Sequence, residues 1–311
     1  MGKTAFLFPG QGAQSVGMGR ELLEAGGLLA ATFAEADAVL GFSLSKLMLE
    51  GPNDQLLLTK NAQPALVTTA VAAFRLVTDR VGLRPDYVAG HSLGEYAAVC
   101  AADGFTFTDA LRLVRLRGEA MQEAVPVGQG AMAAMLNMAQ ETVEEVCRLA
   151  ASATGGVCVP ANYNTSAQLV ISGHRTAVEK AVELAKERGG KRCVMLPVSA
   201  PFHCPLMEPA ARRMAEALAA TPMQELTVPV VSNVTATETT DCNRERELLV
   251  RQVTAPVLWM ASIQRLRALG VDTFVEVGTG QVLSGMMKRI DKDATVYGVS
   301  GPQDLANLPA A

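Results

Sequence analysis

The chain has 311 residues, of which 49% are apolar and 19% charged, with 27 Lys and Arg against 31 Asp and Glu for a net charge of −4. That length suits one large α/β domain or two ordinary ones, and the mild acidity argues against a general nucleic-acid binder, which carries a basic excess. The longest apolar stretch, residues 65–74, is interrupted by Thr68 and Thr69 and is too short to span a bilayer, while six scattered cysteines with no CxxC pair predict a reduced, cytoplasmic protein with free thiols.

The opening residues run straight into the apolar Thr4-Ala5-Phe6-Leu7-Phe8 without an h-region or cleavage site, so no secretory leader is expected. Pro9-Gly10 ends that run, which reads as a buried strand entering a tight loop. Helical patterns follow over residues 18–40 and 64–81, then a second buried strand over 87–89 closed by Gly90. Residues 94–102 read as helix, and another begins at Phe107-Thr108-Asp109, with Thr108 or Asp109 as its cap. Strands alternating with helices imply a largely parallel sheet covered on both faces.

From residue 128 to 198 the pattern becomes strand 131–136, helix 140–153, strands 157–162 and 168–172, helix 174–188 and strand 193–198. This βαββαβ order predicts a ferredoxin-like domain inserted into a larger α/β domain formed by 1–127 and 199–311. The larger pattern resumes with helix 205–220, strand 228–233, helices 244–252 and 261–269, and strand 273–277. Beyond Ser300 a loosely held tail is expected.

Gly90-His91-Ser92-Leu93-Gly94 matches G-x-S-x-G directly after a strand and before a helix. At such a corner the serine is forced out on a strained turn, and the helix N-terminus offers backbone N–H groups to an oxyanion. Ser92 is a candidate nucleophile; the alternative is a helix-capping serine. Three histidines limit the choice of base. His91 adjoins Ser92 and should point away from it, supporting the site. His174 opens a helix and reads as a cap-region residue. His203 lies in the Pro-bracketed loop Ser199-Ala200-Pro201-Phe202-His203-Cys204-Pro205, where a general base can be held. The order Ser then His fits α/β-hydrolase logic, but no Asp or Glu is marked as third member, and a carbonyl could orient the imidazole instead.

The helix over 109–122 places Ala110, Leu113, Val114 and Met121 on one face with Arg117 in its middle, whereas Arg112 and Arg115 face solvent. A buried guanidinium needs a partner. Either Arg117 pairs with a buried acid or snorkels past the helix edge, or it receives a substrate carboxylate through its fork.

Together, Phe8-Pro9-Gly10-Gln11-Gly12-Ala13-Gln14, Gly90-His91-Ser92-Leu93-Gly94-Glu95-Tyr96, Arg117, Pro201-Phe202-His203 and Phe274-Val275-Glu276-Val277-Gly278 resemble the malonyl-CoA:acyl-carrier-protein transacylases and the acyltransferase domains of polyketide synthases, over residues 4–299. One departure is Gly278-Thr279-Gly280, where many relatives carry a central proline. The resemblance implies an α/β-hydrolase-like core with a ferredoxin-like insert. It makes Ser92 the nucleophile, His203 the base, and the backbone N–H groups of Gln11 and Leu93 the oxyanion hole. It gives Arg117 the malonyl carboxylate and a carbonyl at Gln252 the orientation of the histidine. Asn162 and Arg192 match positions lining a coenzyme A groove. Phe202 matches the malonyl-selective form of its loop. The implied reaction uses a coenzyme A thioester as substrate, with no metal or bound cofactor and no membrane or nucleic acid. Its partner is a phosphopantetheinylated acyl carrier protein, and the enzyme is expected to be a monomer. An acyl hydrolase on the same fold and a non-catalytic carrier-binding scaffold are the competing readings. Carrier proteins are acidic, so the basic run 186–192 and the pair Lys288-Arg289 are candidate docking sites.

Overall fold

The computed structural model describes residues 2–198 and 200–309, so the boundary residue Ser199 and the last two residues of the tail lie outside it. Ten strands form two sheets: β1 Lys3–Phe8, β2 Tyr87–Gly90, β3 Gly130–Leu136, β4 Cys158–Thr165, β5 Gln168–His174, β6 Arg192–Met195, β7 Val230–Val231, β8 Glu238–Thr239, β9 Val271–Val277 and β10 Thr295–Val299. The larger sheet has the order β10-β9-β1-β2-β7-β8 and is parallel except for β8, which runs antiparallel to β7. β1 is central, and Ala5, Phe6, Leu7 and Phe8 are all fully buried. A parallel strand covered on both faces needs such a continuous apolar run rather than an alternating one.

The helix Thr59–Arg80 crosses this sheet, with every residue from Asn61 to Ala73 buried. Thr68 and Thr69, which interrupt the apolar stretch, are themselves fully buried. Their hydroxyls donate back to the carbonyls of Pro64 (2.8 Å) and Leu66 (3.0 Å), so no polar group is left unpaired.

The second sheet has the order β4-β5-β3-β6 with every neighbour antiparallel. Helices Gln140–Thr154 and Arg175–Glu187 cover it, burying Val143, Val146, Ala150, Val178 and Ala181 against Ala133, Met135 and Ile171. This is the ferredoxin-like arrangement expected from the order of elements. It abuts the larger unit where Val257 joins β4, with Tyr163 N donating to Val257 O and Val257 N donating to Ala161 O, both at 2.9 Å.

Several local expectations are corrected. Residues 18–40 form two helices, Arg20–Glu24 and Gly27–Leu40, because Gly26 and Gly27 adopt left-handed φ values of 72° and 55°. The helix Phe107–Glu123 is capped by Thr106, whose hydroxyl accepts from Asp109 N at 3.1 Å, and not by Thr108 or Asp109; Thr108 donates to Glu35 instead. The strands expected over 193–198 and 228–233 are shorter, at β6 and β7.

The tail is held. Asp304 accepts from the backbone of Ser300 and Gly301, and residues Pro302–Asn307 form a short 3-10 helix whose Leu305 packs on the core. The helix Val282–Ile290 and strand β10 were not anticipated. The helix explains Glu276, whose buried carboxylate accepts from Leu283 N (3.0 Å), Ser284 N (2.7 Å) and Ser284 Oγ (2.6 Å). That acid serves a helix N-terminus, where negative charge is favoured.

Candidate active site

The loop between β2 and the helix Gly94–Ala101 carries Ser92 in a left-handed conformation, φ 53°. Its flanking glycines are steric requirements. A Cβ on Gly90 would lie 1.9 Å from the carbonyl carbon of Gly94, and one on Gly94 would lie 2.0 Å from Phe8 O. The turn is therefore tight enough to exclude any other residue at either position.

Ser92 Oγ lies 2.7 Å from His203 Nε2. His203 Nδ1 lies 2.9 Å from the backbone oxygen of Gln252. A carbonyl only accepts, so Nδ1 carries the proton and Nε2 is left as the acceptor for the serine hydroxyl. His203 is 3% exposed. Burial, reinforced by the positive charge of Arg117, lowers its pKa to about 3. The imidazole is thus neutral and able to take a proton. Like Ser92, it has a left-handed backbone, φ 57°.

Arg117 is 1% exposed, on the buried face of the helix Phe107–Glu123 with Ala110, Leu113, Val114 and Met121. Arg112 is exposed as expected, but Arg115 is only partly exposed: besides pairing with Glu119 it donates to Lys60 O (3.0 Å) and Asn61 Oδ1 (2.6 Å) on the helix Thr59–Arg80, so it does not simply face solvent. Among the described residues no carboxylate forms an ion pair with Arg117. Its Nη2 donates to Gln252 Oε1 (2.9 Å) and Ser92 Oγ (3.2 Å), Nε has no hydrogen-bond partner, and the guanidinium faces the Tyr96 ring at 5.6 Å. Neither the buried acid partner nor the snorkelling position is present. What remains is a desolvated cation beside a serine hydroxyl with part of its fork unfilled, an arrangement that costs several kcal/mol unless an anion arrives.

Leu93 and Gln11 are the expected oxyanion donors. Leu93 is buried and Gln11 lies on the exposed loop after β1, and neither amide donates to another group among the described residues. The side chain of Gln11 accepts from Gln63 at 3.2 Å. His91 turns away from the hydroxyl: its Nε2 donates to Asn164 Oδ1 at 2.8 Å and its ring meets Trp259 edge-on at 5.4 Å. Phe202 is nearly buried and packs into the main core. Asn162 is buried in β4 and Arg192 is exposed at the start of β6, and neither is hydrogen-bonded or ion-paired to Ser92, His203 or Arg117. His174 precedes its helix and accepts from Val157 N at 2.9 Å, a structural role. All six cysteines are free.

Sequence reading did not single out Glu95, Asn233 or Asn164. Asn233 Oδ1 accepts from Ser92 N and its Nδ2 donates to Gly90 O, both at 2.6 Å. The available signal for Asn233 was a polar residue two positions after the short apolar strand β7, at the carboxyl end of a parallel sheet, where sites of such folds collect.

Comparison with known proteins places the chain among acyl transferases. The model of the acyl transferase domain family matches residues 5–301. The chain is 47% identical over 305 residues to the malonyl CoA-acyl carrier protein transacylase of Bacillus subtilis, covering 98% of this chain and 96% of that one. The malonyl CoA-acyl carrier protein transacylase structure from Coxiella burnetii superposes with a TM-score of 0.96 at 40% identity, covering 98% and 96%. A malonyl-transacylase solved in complex with its type II polyketide synthase acyl-carrier protein gives a TM-score of 0.95 at 39% identity, covering 98% of each chain.

Proposed function

The chain belongs to the acyl transferase family, and on that premise we propose that it moves a malonyl group from malonyl-CoA to the phosphopantetheine thiol of an acyl carrier protein, in fatty-acid or polyketide synthesis. The observation that carries the malonyl assignment is Arg117: a buried cation with no acid partner, one hydrogen bond away from the serine hydroxyl. An acyl chain ending in a carboxylate fills that fork, and an uncharged chain leaves it empty.

The reaction is ping-pong. Ser92 Oγ attacks the thioester carbonyl while its proton passes to His203 Nε2. The backbone amides of Gln11 and Leu93 stabilise the oxyanion, the C–S bond breaks, and coenzyme A leaves with the proton from His203. The carrier's thiol then gives its proton to His203 and attacks the malonyl-serine ester, and Oγ departs with that proton. The backbone oxygen of Gln252 holds His203 in the required tautomer, the role an acid takes in related triads. We assign Phe202 to the acyl pocket, with His91 supporting the site through Asn164 and Trp259, and Asn162 and Arg192 to the coenzyme A groove. The chemistry runs on these side chains and the thioester itself, without a bound cofactor. We assign residues 128–198 to an inserted domain and 1–127 with 199–311 to the catalytic one, and we assign the protein to the cytoplasm as a monomer. No single helix among the described residues is long and apolar enough to cross a membrane.

The hydrolase reading finds no support among relatives named transacylases. Incubation with labelled malonyl-CoA and a holo carrier protein tests the proposal. Label on the carrier supports transfer, and release of free malonate alone overturns it.

A further inference from the structure

The side chains that hold Ser92 from outside its own loop converge on one buried acid. Asn233 accepts the Ser92 N–H at 2.6 Å, and Gln252 Nε2 donates to the Ser92 carbonyl at 2.8 Å. Both backbone groups of the strained residue are therefore gripped by side chains from distant segments. Glu95 anchors both grips: Oε1 accepts from Asn233 N at 3.2 Å, and Oε2 accepts from Gln252 Nε2 at 2.6 Å.

Glu95 lies in the first turn of the helix that follows the serine, fully buried, and has no hydrogen bond to Ser92 Oγ or His203. Its neighbour on the helix Cys242–Gln252 is a second fully buried acid, Glu245. Burial, and for Glu245 the charge of Glu95, raises the proton affinity of both, so the pair retains a proton. Two buried acids without a paired cation oppose folding, which separates their role from packing. Gln252 also carries the carbonyl that orients His203 and the Oε1 that receives Arg117. Displacing its anchor disturbs the nucleophile, the base and the acyl-binding cation together.

We propose that Glu95 is a positioning residue for acyl transfer: its two oxygens anchor Asn233 and Gln252, these grip the N–H and C=O of Ser92, and one buried carboxylate so fixes the left-handed backbone that presents Oγ to His203. The proposal rests on the reading of Ser92 as the acylated residue.

Glu95→Gln keeps the shape but leaves one acceptor oxygen for two converging donors, so one grip is lost. Rapid-quench measurement of malonyl-serine formation at saturating malonyl-CoA separates two effects. The amplitude counts competent molecules, and the rate constant reports their geometry. A rate constant lowered about 10- to 100-fold at near wild-type amplitude is expected. A wild-type rate constant with reduced amplitude would show a merely structural role and overturn the proposal. Asn233→Ala, which leaves the acid pair intact, should also slow the rate constant at full amplitude. If Glu95→Gln does not fold, Asn233→Ala carries the test alone, and a wild-type rate constant there overturns the proposal. Absence of any malonyl-serine in the wild type would instead refute the acyl-serine reading beneath it.

Discussion

The guanidinium of Arg117 rests on the side-chain oxygen of Gln252 at 2.9 Å, a neutral acceptor where a buried cation would ordinarily meet an acid. Gln252 can steady the fork without neutralising it. On the proposed function, that charge is available to an incoming carboxylate.

Arg117→Ala should lower malonyl transfer by about 100-fold or more, since a bidentate charged contact is lost. Acetyl transfer should rise relative to malonyl transfer, because an uncharged chain no longer faces an unpaired cation. The variant should keep or gain thermal stability. Parallel assays with labelled malonyl-CoA and acetyl-CoA check this, and equal loss for both substrates would make Arg117 structural.

The acid limb of kcat/KM should fall far below pH 6.5, the ordinary histidine value, because the free enzyme holds the His203 pKa near 3. Part of that depression comes from Arg117, so a bound carboxylate should relax it and move the kcat limb to higher pH than the kcat/KM limb. His203→Ala should reduce loading by about 1000-fold or more. A limb at the ordinary value in the free enzyme would contradict the buried, neutral imidazole.

The same histidine makes the fold acid-sensitive. Its folded pKa lies below the unfolded value, so its stability contribution is present above pH 6.5 and is lost as pH falls towards 3. The Glu95–Glu245 pair works in the opposite sense. Its folded proton affinity is raised above the unfolded value, so its contribution is full below the unfolded carboxylate pKa and is lost as pH rises through the folded one. Glu245→Gln should therefore raise Tm at pH 8 more than at pH 5. A pH-independent difference in Tm would remove the pair from this account.

Reversing Lys191 and Arg192 to acids should raise KM for the carrier protein several-fold at low salt, and Lys191→Glu alone should leave KM for malonyl-CoA less affected, because only Arg192 is assigned to the coenzyme A groove. Both residues are exposed, and neither forms an ion pair among the described residues. Added salt should shrink the difference. An unchanged KM for the carrier would move docking elsewhere.

The fold class was legible because parallel strands buried on both faces read as apolar runs, as in β1. The serine was legible because glycines at two van der Waals-limited positions leave a pattern in sequence. Arg117 stood out as a charge within an apolar stripe, yet its partner was open between an acid and a substrate until the side chains around it were known. Glu95 and Asn233 carried no comparable mark. Each is a common polar residue whose role is to meet groups 138 to 157 residues away, and periodicity reports only local geometry. β10 escaped for a different reason: as an edge strand it is only partly buried and lacks a continuous apolar run. The tail was misread because its anchors are single side chains without periodic pattern: Asp304 capping its own turn, Leu305 on the core and Gln303 on Glu21.

The grip on Ser92 has a consequence for how the protein is made. The serine leaves the ribosome early, but the groups that set its backbone lie 141 and 160 residues further along the chain. Before residue 233 has been synthesised the loop has its glycines and its hydroxyl but neither of those restraints, and before residue 252 it has at most one. On the proposed role of Ser92, a chain cut before residue 233 should therefore take up no malonyl label on that serine, and labelling of such a fragment would show that the restraints are dispensable.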